Sequence, residues 1–422
     1  MHVLDEIVQS QKNGESKGIP SICSAHPWVL KESLKTSDSK KVYLIEATCN
    51  QVNQYGGYTG MTPADFVRYV HGIAEENHFP FENVILGGDH LGPNVWQDEP
   101  ASSAMQKSEV MMRDFVQAGF VKIHLDCSMW LGDDPKGALD PKVSAERTAQ
   151  LAKVAEAACA QGSALPRYVI GTEVPIPGGA QEHETGVNVT KVEDAQQTIQ
   201  VMHNAFQRNG LEGAWERVIA VVVQPGVEFG DDFVLEYDPM AARDLSRFIE
   251  NQTVVYEAHS TDYQARDSLR NLVKDHFAIL KVGPWLTYAY REAVFALAMI
   301  ENELFPKSPS NLMDVLDDVM LHRPEYWEKH YHGLEAERAM KRKFSFSDRI
   351  RYYWPDTRVQ AALSTMMKNL SEKPLPLSLL SQFAPRQYEK IRKGEITATP
   401  ESIILDHIGE VLLDYEAACS RD

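Results

Sequence analysis

Val218-Ile-Ala-Val-Val-Val223 is a run of six apolar residues, five of them β-branched, closed by Gln224-Pro225-Gly226. A run this short and apolar at every position reads as a parallel strand buried on both faces, because an amphipathic strand would alternate and a helix would need more length. Seven other runs share its character: Gly18 to Cys23, Val42 to Ala47, Val84 to Gly88, Val121 to Leu125, Tyr168 to Thr172, Val254 to Ala258 and Phe277 to Val282. Each leads into a polar or glycine-bearing loop and then into an amphipathic helical stretch. Thr62-Pro63 followed by Asp65 is one such start, with N-cap, first-turn proline and an acid three residues on, and Phe66, Val70 and Ile73 then recur at helical spacing. Eight such units between residues 18 and 300 predict an α/β fold, a closed TIM (β/α)8 barrel, whose usual size is about 250 residues. An open doubly wound sheet is the alternative, disfavoured because no G-x-G-x-x-G follows the first strand.

Past residue 301 the strand-helix rhythm stops. Helical patterns over 311–321, 349–353, 382–393 and 400–417, punctuated by prolines, predict an appended helical segment. The expected organisation is therefore a barrel over residues 1–301 and a C-terminal extension over 302–422 packed on it, since no low-complexity linker separates the two.

The composition is that of a folded globular chain: 422 residues, 43% hydrophobic and 24% charged, with a formal charge of −18. That balance repels nucleic-acid backbones and anionic lipid, so neither is an expected partner. It also requires any phosphorylated ligand to be held by local features. Cys23, Cys49, Cys127, Cys159 and Cys419 are an odd number without C-x-x-C spacing, which argues against a disulfide framework or zinc knot and for a reducing compartment. With acids in place of an apolar leader at the amino terminus and no long apolar stretch, a cytoplasmic location is expected.

In a barrel of this kind chemistry sits at the carboxyl ends of the strands. Those ends deliver His26, Glu46, Asp89-His90, His124 with Asp126, Glu173, Gln224, Glu257 with His259, and Lys281 with Gly283. So many ionisable groups placed directly after apolar runs must converge at the mouth. His90 and His259, with Glu173, form a nitrogen and oxygen set suited to Zn²⁺ or Mn²⁺. Asp89, with Glu46 and Glu173, is the expected general acid or base. His124 alternates with Ile123 and Leu125 and reads equally well as a structural residue, and Asp126 as an N-cap or ion-pair partner. Gly283-Pro284 opens a helix whose first N–H groups would face the mouth, so Gly283, Lys281, Ser260 and Thr261 form an expected phosphate site. The long loop from Asn50 to Gly60 adds Asn50 and Gln51 as sugar-hydroxyl ligands, and its glycines would let it act as a lid. No G-x-x-x-x-G-K-[ST] occurs, so neither a nucleotide cofactor nor P-loop phosphotransfer is supported.

Several segments resemble a known family closely. They include Cys23-Ser-Ala-His26-Pro27, Asn50-Gln-Val-Asn-Gln-Tyr-Gly-Gly-Tyr-Thr-Gly60, Ile85-Leu-Gly-Gly-Asp-His-Leu-Gly-Pro-Asn94, Tyr256-Glu-Ala-His-Ser-Thr-Asp-Tyr-Gln264 and Ser347-Asp-Arg-Ile-Arg-Tyr-Tyr-Trp-Pro355. From about Gly18 to the carboxyl end the chain is similar to the Z subunits (GatZ/KbaZ) of class II D-tagatose-1,6-bisphosphate aldolase, of the N-acetylgalactosamine or galactitol pathways. The resemblance implies a TIM barrel that partners a zinc-dependent catalytic Y subunit and supports its activity and stability, in a chaperone-like way, without being active alone. Some relatives are instead implicated as metal-dependent epimerases acting at C4 of tagatose 6-phosphate. Class II aldolases place three histidines on zinc, and here Asp89-His90 and His259 match that pattern while strand six offers Gln224 where a third histidine would be expected.

Overall fold

The computed structural model describes residues 1–35, 41–135, 139–171 and 188–420. Eight parallel strands close a barrel: β1 (Ile19–Cys23), β2 (Tyr43–Thr48), β3 (Val84–Leu91), β4 (Lys122–Leu125), β5 (Arg167–Ile170), β6 (Val218–Val222), β7 (Val255–Ala258) and β8 (Phe277–Val282). Each pairs with its sequence neighbours, and β8 closes on β1 through the register Ile19 to Ile279 and Ile22 to Val282. All eight strands fall within the predicted runs or within a few residues of them. The helix after β2, Pro63–Glu76, starts at the reciprocal Thr62–Asp65 capping box read from the sequence.

The two faces of each strand bury against different things. On β4, Ile123 and Leu125 point outward into the large apolar layer between strands and helices, while Lys122 and His124 take the alternate positions and point into the barrel. At the amino end of the strands the interior is apolar: Ile19, Leu44, Ile85, Val169, Val255 and Ile279 pack with Leu4 and Ile7 of the N-terminal helix Val3–Lys12, which closes that end. Toward the carboxyl end the interior becomes ionic. Glu46 and Glu257 each stand 2.7 Å from Lys122, and all three are fully buried. Gly87 makes room for this layer, since a Cβ there would lie 2.4 Å from a Glu46 carboxylate oxygen.

After β8 the chain is helical. The extension includes Leu312–His322, Glu335–Phe344, Thr357–Ser371, Leu377–Phe383, Pro385–Lys393 and Pro400–Cys419. The pattern over 382–393 becomes two helices because Pro385 starts a new one, and the sequence around 349–353 forms one 3-10 turn, Arg349–Tyr352. Pro400–Cys419 lies against three barrel helices, Pro27–Ser33, Arg266–Lys274 and Pro284–Leu304, and the Tyr415 hydroxyl donates to the Thr261 carbonyl at 2.8 Å. No helix among the described residues is long and apolar enough to cross a membrane.

We propose that the extension is one folding unit with the barrel. Ile408, fully buried in that last helix, should then cost about 2 to 5 kcal/mol of global stability when replaced by alanine. Calorimetry of Ile408→Ala should show a single transition moved to lower temperature; a separate small transition moving alone would show an independent domain.

Candidate functional site

The site begins with an irregularity in β3. Gly87 and Gly88 pair with Lys122 and Ile123 of β4, but the next pairing is Leu91 with Leu125, so Asp89 and His90 together stand opposite the single residue His124, one residue more than a regular register allows. A regular strand would send consecutive side chains to opposite faces. Here the bulge, with His90 in the left-handed region at φ 49°, lets Asp89 and His90 both turn inward. Ser260 and Tyr263, after β7, also hold positive φ. Gly92 completes the turn in extended backbone, and a Cβ on it would overlap the Asp126 carbonyl oxygen at 1.7 Å.

Asp89, His90, His124 and His259 converge from β3, β4 and the end of β7, their donor atoms all within 4.8 Å of one another and all buried. Each histidine has one ring nitrogen engaged and one spare. His90 Nδ1 pairs with Asp126 Oδ2 at 2.8 Å, and His259 Nε2 with Glu257 Oε1 at 2.9 Å. His124 Nδ1 lies 2.9 Å from Asp89 Oδ1 and 3.2 Å from the His90 backbone nitrogen, while its Nε2 is buried without any hydrogen-bond partner. Carboxylates holding the far side of ligating imidazoles are a recurrent feature of metal centres. One carboxylate and three imidazoles, with a buried imidazole nitrogen left unbonded, fit a divalent ion such as Zn²⁺ or Mn²⁺.

The electrostatics agree with that assignment. Burial alone would protonate Asp89, but His90, Lys281, whose ammonium bonds its Oδ2, and His124 outweigh it and hold the carboxyl well below its ordinary range. Burial, reinforced by Lys281, lowers His259, which is therefore a neutral imidazole. Glu257 is opposed by burial yet held below the ordinary range by Lys122 and His259, so it orients His259 as an anion. Burial would strip Lys122 of its proton, but Glu257 and Glu46 prevail and raise it.

The cluster opens into a cavity of about 1090 Å³, lined among others by His90, His259, Lys281, Asn50, Gln51 and Ser260. Those expected residues meet at one place. Others do not. Glu46 lies outside the cavity lining, beneath it, beside Lys122. Thr261 turns its hydroxyl to the Lys281 carbonyl at 2.5 Å and to Tyr415, away from the cavity. Gly283 lines the cavity, but its N–H and that of Trp285 both donate to Asp262 Oδ1, at 3.0 and 2.8 Å, so the helix start expected to receive phosphate is already capped. Glu173 lies outside the described residues. The loop from Asn50 to Gly60 is internally bonded, Asn53 binding the Cys49 carbonyl and the Tyr55 and Gly57 N–H groups.

Sequence reasoning undervalues His124 and Asp126. The missing third histidine comes from β4 and not β6, and its period-two alternation with Ile123 and Leu125 is the signal: apolar neighbours facing the helices leave His124 facing the barrel axis. Arg349, Arg351, Tyr352 and His330 of the extension also line the cavity; distant in sequence, they carry no sign of where they fold.

These features define a (β/α)8 barrel with a buried Asp-His centre at its carboxyl end, a ligand cavity above it and a C-terminal extension forming part of the cavity wall. Residues 4–420 match the model of the D-tagatose-1,6-bisphosphate aldolase subunit GatZ/KbaZ-like family, and the chain belongs to that family. A crystal structure from Sinorhizobium meliloti 1021, described as a probable tagatose 6 phosphate kinase, is 47% identical, covering 96% of this chain and 100% of that one with a TM-score of 0.89. The YdjI aldolase of Escherichia coli K12 (13% identity, 84% and 98% coverage, TM-score 0.44) and the fructose-bisphosphate aldolase of Campylobacter jejuni (13%, 87% and 92%, 0.43) are remote.

Purified chain should take up about one equivalent of Zn²⁺ or Mn²⁺. His124→Ala should abolish uptake, and Asp126→Asn, which frees His90 Nδ1, should weaken it about 10- to 100-fold. Equal metal affinity in all three proteins would remove the cluster as a metal centre.

Proposed function

We propose that this chain acts on a ketose phosphate by aldol chemistry at its own centre, as a D-tagatose 6-phosphate 4-epimerase giving fructose 6-phosphate. The observation that supports it is the buried set of Asp89, His90, His124 and His259, which reaches a cavity large enough for a hexose phosphate through His90 and His259. A stabilising subunit without chemistry of its own has no need of buried histidines with one nitrogen oriented and one spare.

A divalent ion, when bound there, supplies Lewis acidity toward the ketose oxygens. His90 and His259 would hold it through the nitrogens left free by Asp126 and Glu257, with His124 as the third imidazole. In this reading Asp89, which lies directly behind the cavity residues His90 and Lys281 and is bonded to His124 and Lys281, accepts the C4 hydroxyl proton as the C3–C4 bond breaks, leaving an aldehyde at C4 and the electron pair on the C2–C3 enediolate. Rotation of the aldehyde and re-addition to its other face returns the proton from Asp89 to the new C4 oxygen, inverting C4 with atoms and charge conserved. Lys281, paired with Asp89, keeps that carboxylate charged between turnovers. Asn50 and Gln51 meet the sugar hydroxyls from the loop after β2.

Family membership supports a second reading, in which the chain assembles with a catalytic Y subunit of tagatose-1,6-bisphosphate aldolase and maintains its activity and stability. Under both readings the protein works in sugar-phosphate metabolism in the cytoplasm.

Isolated chain loaded with Zn²⁺ or Mn²⁺ and given tagatose 6-phosphate should yield fructose 6-phosphate, and Asp89→Asn should lower kcat by about 10² to 10⁴. No product from metal-loaded chain, together with a longer half-life of the Y subunit in its presence, would leave the subunit role in its place.

A further inference from the structure

Among the described residues, two guanidinium groups at the cavity wall have no carboxylate partner. Arg349 and Arg351 sit on the 3-10 turn of the extension, one residue apart, and both line the cavity that holds the Asp-His centre. Arg349 is 9% exposed, its Nε has no hydrogen-bond partner, and its Nη2 meets His330 Nδ1 at 3.1 Å. His330 is pushed down to about 4 by burial and by the two arginines, so it is a neutral acceptor that leaves the charge of Arg349 uncompensated. Arg351 bonds the Ser347 and Asp348 carbonyls and the Tyr352 hydroxyl, again without a formal countercharge.

The nearby acids are committed elsewhere. Asp231 binds Lys341 at 2.9 Å and the Ser345 hydroxyl at 2.8 Å, and Asp348 faces Arg291 at 3.7 Å and bonds Thr287. Among the described residues no carboxylate lies within 4 Å of either guanidinium. Burial correspondingly lowers Arg349 below the ordinary guanidinium value. A buried charge without a countercharge is costly, and the buried Arg349 with the half-buried Arg351 beside it, both facing one cavity, are a provision for an anion that arrives with the ligand. Guanidinium forks match phosphate oxygens in geometry as well as charge.

We propose that Arg349 and Arg351 bind the phosphoryl group of the substrate, so that the C-terminal extension, and not the helix start at Gly283, supplies the phosphate site. This rests on the sugar-phosphate reading above and adds its orientation: phosphate toward the extension, reacting carbons toward Asp89. Tyr58, whose ring meets Tyr352 at 4.9 Å, joins the loop after β2 to the same corner. The loop that contacts the sugar and the turn that binds its phosphate are thereby in register.

Calorimetric titration of the full chain with inorganic phosphate tests this directly. Wild type should bind phosphate, Arg349→Gln and Arg351→Gln should each weaken it about 10- to 100-fold, and Arg349→Lys should recover part of the loss. Zn²⁺ uptake, read in parallel, should be unchanged in all three and certifies folding at a centre these arginines do not touch. Phosphate affinity equal to wild type in both Gln variants, or no phosphate binding by wild type, would overturn the proposal. If phosphate binding depends on the arginines while tagatose 6-phosphate is not turned over, the epimerase reading fails and the phosphate site stands. Turnover with an unchanged KM in both Gln variants would overturn the phosphate site and leave the epimerase reading intact.

Discussion

The ammonium of Lys122, fully buried between Glu46 and Glu257 on the barrel axis, is the interaction on which the upper half of the molecule depends. A single buried charge of this kind would be prohibitive, and even a buried pair contributes little net stability once desolvation is counted. Its value is positional. Lys122 keeps Glu257 ionised, Glu257 holds His259 through Nε2, and His259 then presents its other nitrogen to His90, His124 and Asp89. Replacing Lys122 would leave two carboxylates facing each other without a cation, and the first casualty would be the orientation of the centre above them.

The barrel interior is thus graded along its axis. The amino end is sealed by apolar packing against the N-terminal helix, the middle is an ion layer, and the carboxyl end is a cluster with unspent coordinating capacity. The same grading reconciles the acidic balance of the chain with an anionic ligand. An overall charge of −18 sets the long-range field, which is screened within about 10 Å at ordinary ionic strength. Recognition at the cavity is decided by groups in contact, and there Arg349 and Arg351 present positive charge with no carboxylate among the described residues in ion-pair contact.

Much of this architecture is legible in the amino-acid sequence. Apolar continuity in Val218 to Val223 and its seven counterparts specifies parallel strands buried on both faces, and their count specifies closure. The strand-end rule then points to Asp89, His90, His259 and Lys281, because a residue directly after a buried strand has nowhere to go except the mouth. The rule fails where direction matters more than position: Glu46 and Thr261 stand at strand ends but face the ion layer and the last helix, and the Gly283 amide is used by Asp262. His124 reads equally well as a structural residue, although alternation alone places it opposite two outward-facing apolar residues.

The sequence by itself determined the architecture and three of the four residues of the centre, since hydrophobic periodicity and strand order are local properties written residue by residue. Tertiary structure alone decided the rest. Whether two consecutive side chains share one face depends on a bulge against β4, which is a relation between strands. Whether an arginine near residue 350 belongs to a surface or to a cavity built around residue 90 depends on how a helical extension folds back across a barrel. Neither relation has a signature in local spacing, because both are set by packing between segments far apart in the chain.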